Sequence, residues 1–155
     1  MAIEDKNDKQ ILDPLENDFP IKAIAVDFMD LNNLNLIIKN SFQEAFKLID
    51  DFNGVWYFIV KLNIIMNTID IIGLANIKFS NDKTMEIYWL EINKVMRNKG
   101  YTRQILDYFQ RWAKFIHCKK IRLLVNTKDN MKLFKRFDFI KENDNSLNLI
   151  KNIES

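Results

Sequence analysis

Apolar positions along the chain change period several times, and each change marks an element. Ile21 to Met29 (IKAIAVDFM) alternates and is rich in β-branched residues, which predicts a first strand. From Asp30 the spacing lengthens to that of a helix. Leu34, Ile37, Ser41, Ala45 and Leu48 can share one face, as two short helices running to Asp50. Asn53-Gly54 signals a turn, and the VWYFIVKL behind it a second strand. A loop at Asn63 to Asn67 leads into TIDIIGLANIKF, a third strand, and the polar turn Ser80 to Lys83 leads into TMEIYWLEIN, a fourth. Strands joined by such short connections are expected to pair antiparallel.

After Gly100 the pattern is helical again. Ile105, Leu106, Phe109, Trp112, Ala113 and Ile116 form one stripe, with Arg103, Asp107, Gln110, Arg111 and Lys114 on the opposite face. KKIRLLVN then reads as a short buried strand that follows a helix and so lies parallel to the strand before it. A second amphipathic helix, Asp129 to Arg136, carries Met131, Leu133, Phe134 and Phe137, and FDFIKE and LNLIKNI around an Asn-Asp-Asn-Ser turn close the chain as a hairpin. The sum is an α/β (α+β) domain with a mixed, mostly antiparallel sheet of six to seven strands and about four helices. Its expected extent is residues 20–155, since residues 1–19 are acidic and weakly patterned and read as a tail or lead-in.

Charge sharpens the picture in one half only. Between Lys94 and Lys141 fourteen Lys or Arg face three Asp (Asp107, Asp129, Asp138), although the net charge of the whole chain is just +2. Cys118 is the single cysteine, which excludes an intrachain disulfide and suits a reducing, cytoplasmic setting. The amino terminus lacks the pattern of a signal peptide. The most apolar region, Val55 to Ala75, is broken by Lys61, Asn63, Asn67 and Asp70, so no membrane partner is expected.

The basic half contains the most informative stretch, Thr84 to Ala113. A strand ends there in a polar loop, a glycine stands where a helix begins, and cations flank it. The first N–H groups of a helix have no partner inside the helix and carry the positive end of its dipole, so this turn suits a phosphate.

In this register the turn, Arg97-Asn98-Lys99-Gly100-Tyr101-Thr102, resembles the acyl-CoA motif Q/R-x-x-G-x-G/A of the GNAT N-acetyltransferase superfamily, and Leu90-Glu91-Ile92 fits its apolar-x-apolar run. The element order resembles that fold over roughly residues 20–153. The resemblance implies a fourth strand bulged near Leu90 to Ile92 and splayed from the fifth (Ile121 to Asn126), with the pantetheine arm of acetyl-CoA on the freed backbone and an oxyanion contact at the Ile92 N–H. It implies a pyrophosphate on the N–H groups from Asn98 to Arg103, with Arg97, Lys99 and Arg103 adding charge. Two departures stand out. Thr102 replaces the family's Gly or Ala, and Phe134, within a partial match Leu133-Phe134 and Asp138-Phe139, replaces the tyrosine that serves many members as general acid. Thr127 falls in the slot of a motif Asn, with Asn126 beside it.

The implied activity is acetyl-CoA-dependent N-acetylation of a primary amine, small molecule or protein, by direct attack in a ternary complex. For the base, Glu86 ranks first because it matches the catalytic glutamate of the histone acetyltransferase branch. Glu91 ranks second: its offset of five places it on the opposite face of a regular strand, and a bulge between the two would reverse that. For the acid, Tyr101 and Tyr108 are the nearest tyrosines. His117 and Cys118 adjoin each other and do not form a catalytic pair, and no ligand spacing points to a metal. Glu44, Asp50, Asp51, Glu142 and Asp144 favour a cationic acceptor. A catalytically degenerate acyl-CoA-binding or interaction module is the alternative, homodimers being common in the fold. Nucleic acid is disfavoured by the lack of an aromatic RNA-binding motif.

Overall fold

The structure is a computed structural model and describes residues 20–26, 31–47, 52–124, 128–144 and 148–153, with the side chains of 31–35 and 128–130 left aside. Seven strands form one sheet in the order β1-β2-β3-β4-β5-β7-β6. β1 (Ile21–Ala25), β2 (Val55–Asn63), β3 (Thr68–Phe79) and β4 (Thr84–Ile92) pair antiparallel in sequence. β5 (Lys120–Leu124) runs parallel to β4, as a strand returning from a crossover helix must. β7 (Asn148–Asn152) inserts between β5 and the two-residue β6 (Ile140–Lys141).

Two cores lie on the two faces. On one, Ile105, Leu106, Phe109 and Ala113 of α3 (Tyr101–Phe115) pack on Ile59, Ile72, Ile77, Met85, Ile87, Ile121 and Leu123, with Phe134 of α4 (Lys128–Lys135) and Phe139 at its edge. The other face is covered by α1 (Leu31–Ser41) and α2 (Gln43–Lys47), whose Ile38, Phe42 and Ala45 meet Trp56, Phe58, Val60 and Leu74. β3, covered on both sides, is buried continuously from Ile72 to Ala75 and on through Ile77.

The stripe expected through Ser41 and Ala45 is out of phase in its first helix. Ile38 and Phe42 carry the burial, Ile37 and Ser41 are only half-buried, and Leu36 is exposed. Helical hydrogen bonds continue through Phe42, whose N–H donates to Ile38 O (2.8 Å) and whose carbonyl accepts from Phe46 N–H (3.0 Å), so Ile38, Phe42 and Ala45 form one buried stripe beside the half-buried Ile37 and Ser41. The side chain of Leu34, and Leu48, Asp50, Asp51 and residues 1–19, lie outside what is described. The final hairpin is shorter on its first arm than FDFIKE suggested, and the 3₁₀ turn Lys94–Met96 was not foreseen.

Candidate active site

β4 is where the fold makes its site. Its pairing with β5 runs from Thr84 to Ile87 and stops, so that the backbone from Trp89 to Ile92 pairs with β3 alone. The splay expected between these strands is therefore present. The bulge is earlier than Leu90 to Ile92: Ile77 faces Ile87 and the next β3 residue, Asn76, faces Trp89, which makes Tyr88 the extra residue. The displacement decides which face Glu91 takes. Beyond the bulge the alternation is inverted, so Glu86 and Glu91 share the α1–α2 face. Tyr88 and Trp89 do as well, since the Phe52 ring stacks on Tyr88 (centroids 6.4 Å apart, planes at 17°) and lies 5.8 Å from Trp89. Leu90 and Ile92 fall on the α3 face.

Asn93 ends the strand. Its N–H donates to the Ile72 carbonyl (2.8 Å), its side-chain amide donates to Ile71 O (2.7 Å), and its Oδ1 accepts from Val95 N–H (3.2 Å), which starts the 3₁₀ turn. Arg97 is extended, Asn98 is left-handed with φ 64°, and Gly100 is left-handed with φ 82° and ψ 11° at the N-cap of α3. No side chain caps that helix, so the first-turn N–H groups at Tyr101 to Arg103 are left for another partner. A Cβ at Gly100 would meet nothing within 4 Å. The glycine keeps open the space in front of the turn, as an anion there requires.

The splay and the turn open into one cavity of about 890 Å³. Its walls include Leu90, Glu91, Ile92, Arg97, Asn98, Gly100, Tyr101, Thr102, Arg103 and Phe134 among the residues expected from the sequence. Lys99 is exposed and outside the lining, and Asn126 and Thr127 fall outside the described residues. Arg103 lies over the Phe137 ring, 5.6 Å from its centroid, and Lys61 over that of Tyr101 at 5.2 Å. Phe134 packs edge-on to Phe139, leaving an apolar wall where a tyrosine would offer a hydroxyl. Tyr108 is not in the cavity: its hydroxyl accepts the Ala23 N–H in the core. Glu44, expected on the acceptor side, lines it too, and so do Tyr88, Trp89, Arg136 and Phe137, which sequence reasoning did not assign to the site. Only knowledge of the bulge brings the consecutive Tyr88 and Trp89 to one face.

Three acidic groups differ in setting. Glu91, 7% exposed, accepts from Ala45 N–H (2.8 Å) and the Trp89 indole N–H (3.1 Å), and burial raises its pKa. Glu86 stands outside the lining, its Oε2 within 3.5 Å of both Arg122 Nη1 and the Tyr88 hydroxyl. Arg122 grips Glu142 more closely, with Nη2 at 2.8 Å and Nε at 3.0 Å, and those bonds lower the Glu142 pKa. Tyr88 is raised by burial first and by the charge of Glu86 second. Among the described residues no three His, Cys, Asp or Glu gather as metal ligands, and no helix is long and apolar enough to cross a membrane.

The acetyltransferase (GNAT) family model matches residues 27–139. The chain belongs to this family. Its solved structural neighbours include a domain from Methanocaldococcus jannaschii, 23% identical, with a TM-score of 0.57 over 85% of this chain and 97% of that one. A GNAT family N-acetyltransferase from Escherichia coli in complex with CoA is 13% identical (TM-score 0.57; 86% and 81% covered). Spermidine N-acetyltransferase from Vibrio cholerae, in complex with CoA and spermine, is 14% identical (TM-score 0.55; 86% and 93% covered). No curated protein matches in sequence. At such identities these neighbours share the GNAT fold with this chain, including its parallel β4–β5 pair.

Proposed function

We propose that this GNAT acetyltransferase uses acetyl-CoA to acetylate a cationic primary amine by direct attack in a ternary complex. The observation that carries the proposal is the continuity of one cavity from the unpaired β4 backbone to the uncapped N-terminus of α3. Acetyl-CoA would bring the activated thioester and a thiol leaving group. The β4 N–H and C=O groups from Leu90 to Ile92 suit its amide-bearing arm. The N–H groups at Asn98 to Arg103, with Arg97 and Arg103, suit its pyrophosphate.

The acceptor belongs on the α1–α2 side, where Glu44, Tyr88, Trp89 and Glu91 line the cavity. Carboxylates and aromatic faces together favour an ammonium group. The bound amine must lose a proton before it attacks. Glu86 serves as the acceptor of that proton, beside the vertex where β4 leaves β5. The tetrahedral oxyanion is met by the β4 N–H near Ile92. As the C–S bond breaks, Tyr88 gives its proton to the sulfur and recovers one from Glu86 across their 3.5 Å contact, while the surplus proton on the attacking nitrogen passes to solvent as the amide forms. Tyr88 thus takes the place left vacant by Phe134, which Tyr101, beneath Lys61 at the helix start, is poorly placed to fill.

CoA thiol release over a panel of amines that includes spermidine tests this scheme. Glu86→Gln and Tyr88→Phe should each lower kcat by about 10² or more, with KM for acetyl-CoA nearly unchanged. Full activity in both variants would overturn the assignment. Phe134 also favours a second reading, an acyl-CoA-binding module without turnover. That reading predicts tight acetyl-CoA binding and no thiol release with any amine.

A further inference from the structure

Among the described residues Glu91 is the only charged side chain that is buried, and its two oxygens serve different parts of the molecule. Oε1 accepts from the Ala45 N–H of α2, 46 residues back in the chain, and from Trp89. Oε2 has no hydrogen-bond partner and faces Arg97 Nη2 at 3.6 Å. Arg97, half exposed, opens the turn into α3 and is anchored otherwise by one bond, Nε to the Ile92 carbonyl at 3.3 Å. A single buried carboxylate therefore touches both the acceptor-side helix and the phosphate-side loop, and both belong to one cavity.

We infer that Glu91 is a positioning residue that couples the filling of the Arg97–Gly100 loop to the fixing of α2, an inference that rests on the acyl-CoA reading above. A pyrophosphate competes with Glu91 for the Arg97 guanidinium, because phosphate offers the same fork more charge. Once Arg97 turns to the phosphate, the Glu91 charge rests on its remaining donors, the N–H groups of Ala45 and Trp89, and holds them more strongly. The wall that receives the amine is thus set after the acyl donor binds, and donor-first order follows from the geometry. A cap supplied only for helix stability needs no counter-ion in the cofactor loop.

Hydrogen exchange at the Ala45 amide tests the coupling in wild type, Glu91→Ala, Glu91→Gln and Arg97→Ala, each without ligand and at saturating acetyl-CoA. Without ligand, Glu91→Ala should speed Ala45 exchange about tenfold, and Glu91→Gln should restore most of the protection because its amide oxygen still accepts. Acetyl-CoA should slow Ala45 exchange severalfold further in wild type, and not in Glu91→Gln or Arg97→Ala. A wild type whose melting temperature rises with acetyl-CoA while Ala45 is unresponsive would leave Glu91 a simple cap and overturn the inference alone. An Arg97→Ala variant that responds like wild type would do the same. Absence of both the melting shift and the exchange response would remove the acyl-CoA reading and this inference together.

Discussion

Gly100 is required for its φ of 82°, since a side chain there would meet open space. Gly100→Ala should therefore cost only about 1 kcal/mol in chemical denaturation. Gly54 is the opposite case. A Cβ would stand 2.3 Å from Asn76 Oδ1 and 2.7 Å from the Ile77 carbonyl, so Gly54→Ala should cost about 2 kcal/mol or more by overpacking. The Arg97 to Thr102 turn was legible because its residues are consecutive and their spacing alone carries the meaning. The relation of Glu86 to Glu91 was legible only as two alternatives, because the choice depends on where the bulge falls in the pairing with β3. Glu91 also has a pH signature. Its folded pKa is raised, so the stability associated with it is full below the ordinary carboxylate pKa near 4.3 and is lost as pH rises through the higher folded value. Unfolding free energies measured from pH 4 upward should fall in wild type over that window, and Glu91→Gln should flatten the fall.

Among the elements, the sheet and its helices followed from hydrophobic period and turn chemistry, including the parallel β4–β5 pair. The phase of α1 did not, because Leu36, Ile37 and Ile38 are apolar on adjacent faces and period alone does not choose Ile38 and Phe42 over Ile37 and Ser41. The β6–β7 arm is short in hydrogen bonds and is tied to the site face by Arg122, which bridges Glu142 and Glu86. Here the sign is reversed. The Glu142 pKa is lowered by its bonds to Arg122, so the tie is present above the ordinary carboxylate pKa and is lost as pH falls through the lowered one. Arg122→Met should remove this acid-side loss, read as the difference between wild-type and variant unfolding curves below pH 4.5. Glu142 keeps about a quarter of its side chain in solvent, and screening there keeps the effect small.

At the scale of the whole molecule, two cores clamp a sheet whose centre opens between β4 and β5, and Arg97, Arg103 and Arg136 line the opening. A ligand that fills it and binds only the folded state stabilises that state by mass action, by about 2.7 kcal/mol at a hundred times its Kd, or about 5 to 10 °C in Tm for a chain of this size. The most direct measurement is calorimetric titration of acetyl-CoA into wild type and Gly100→Val, with folding of the variant verified by circular dichroism. The expected result is one saturable site per chain in wild type, weakened at least tenfold in the variant by a side chain in the space before α3. No heat in wild type, or equal affinity in a folded Gly100→Val, would contradict an acyl-CoA site at this turn.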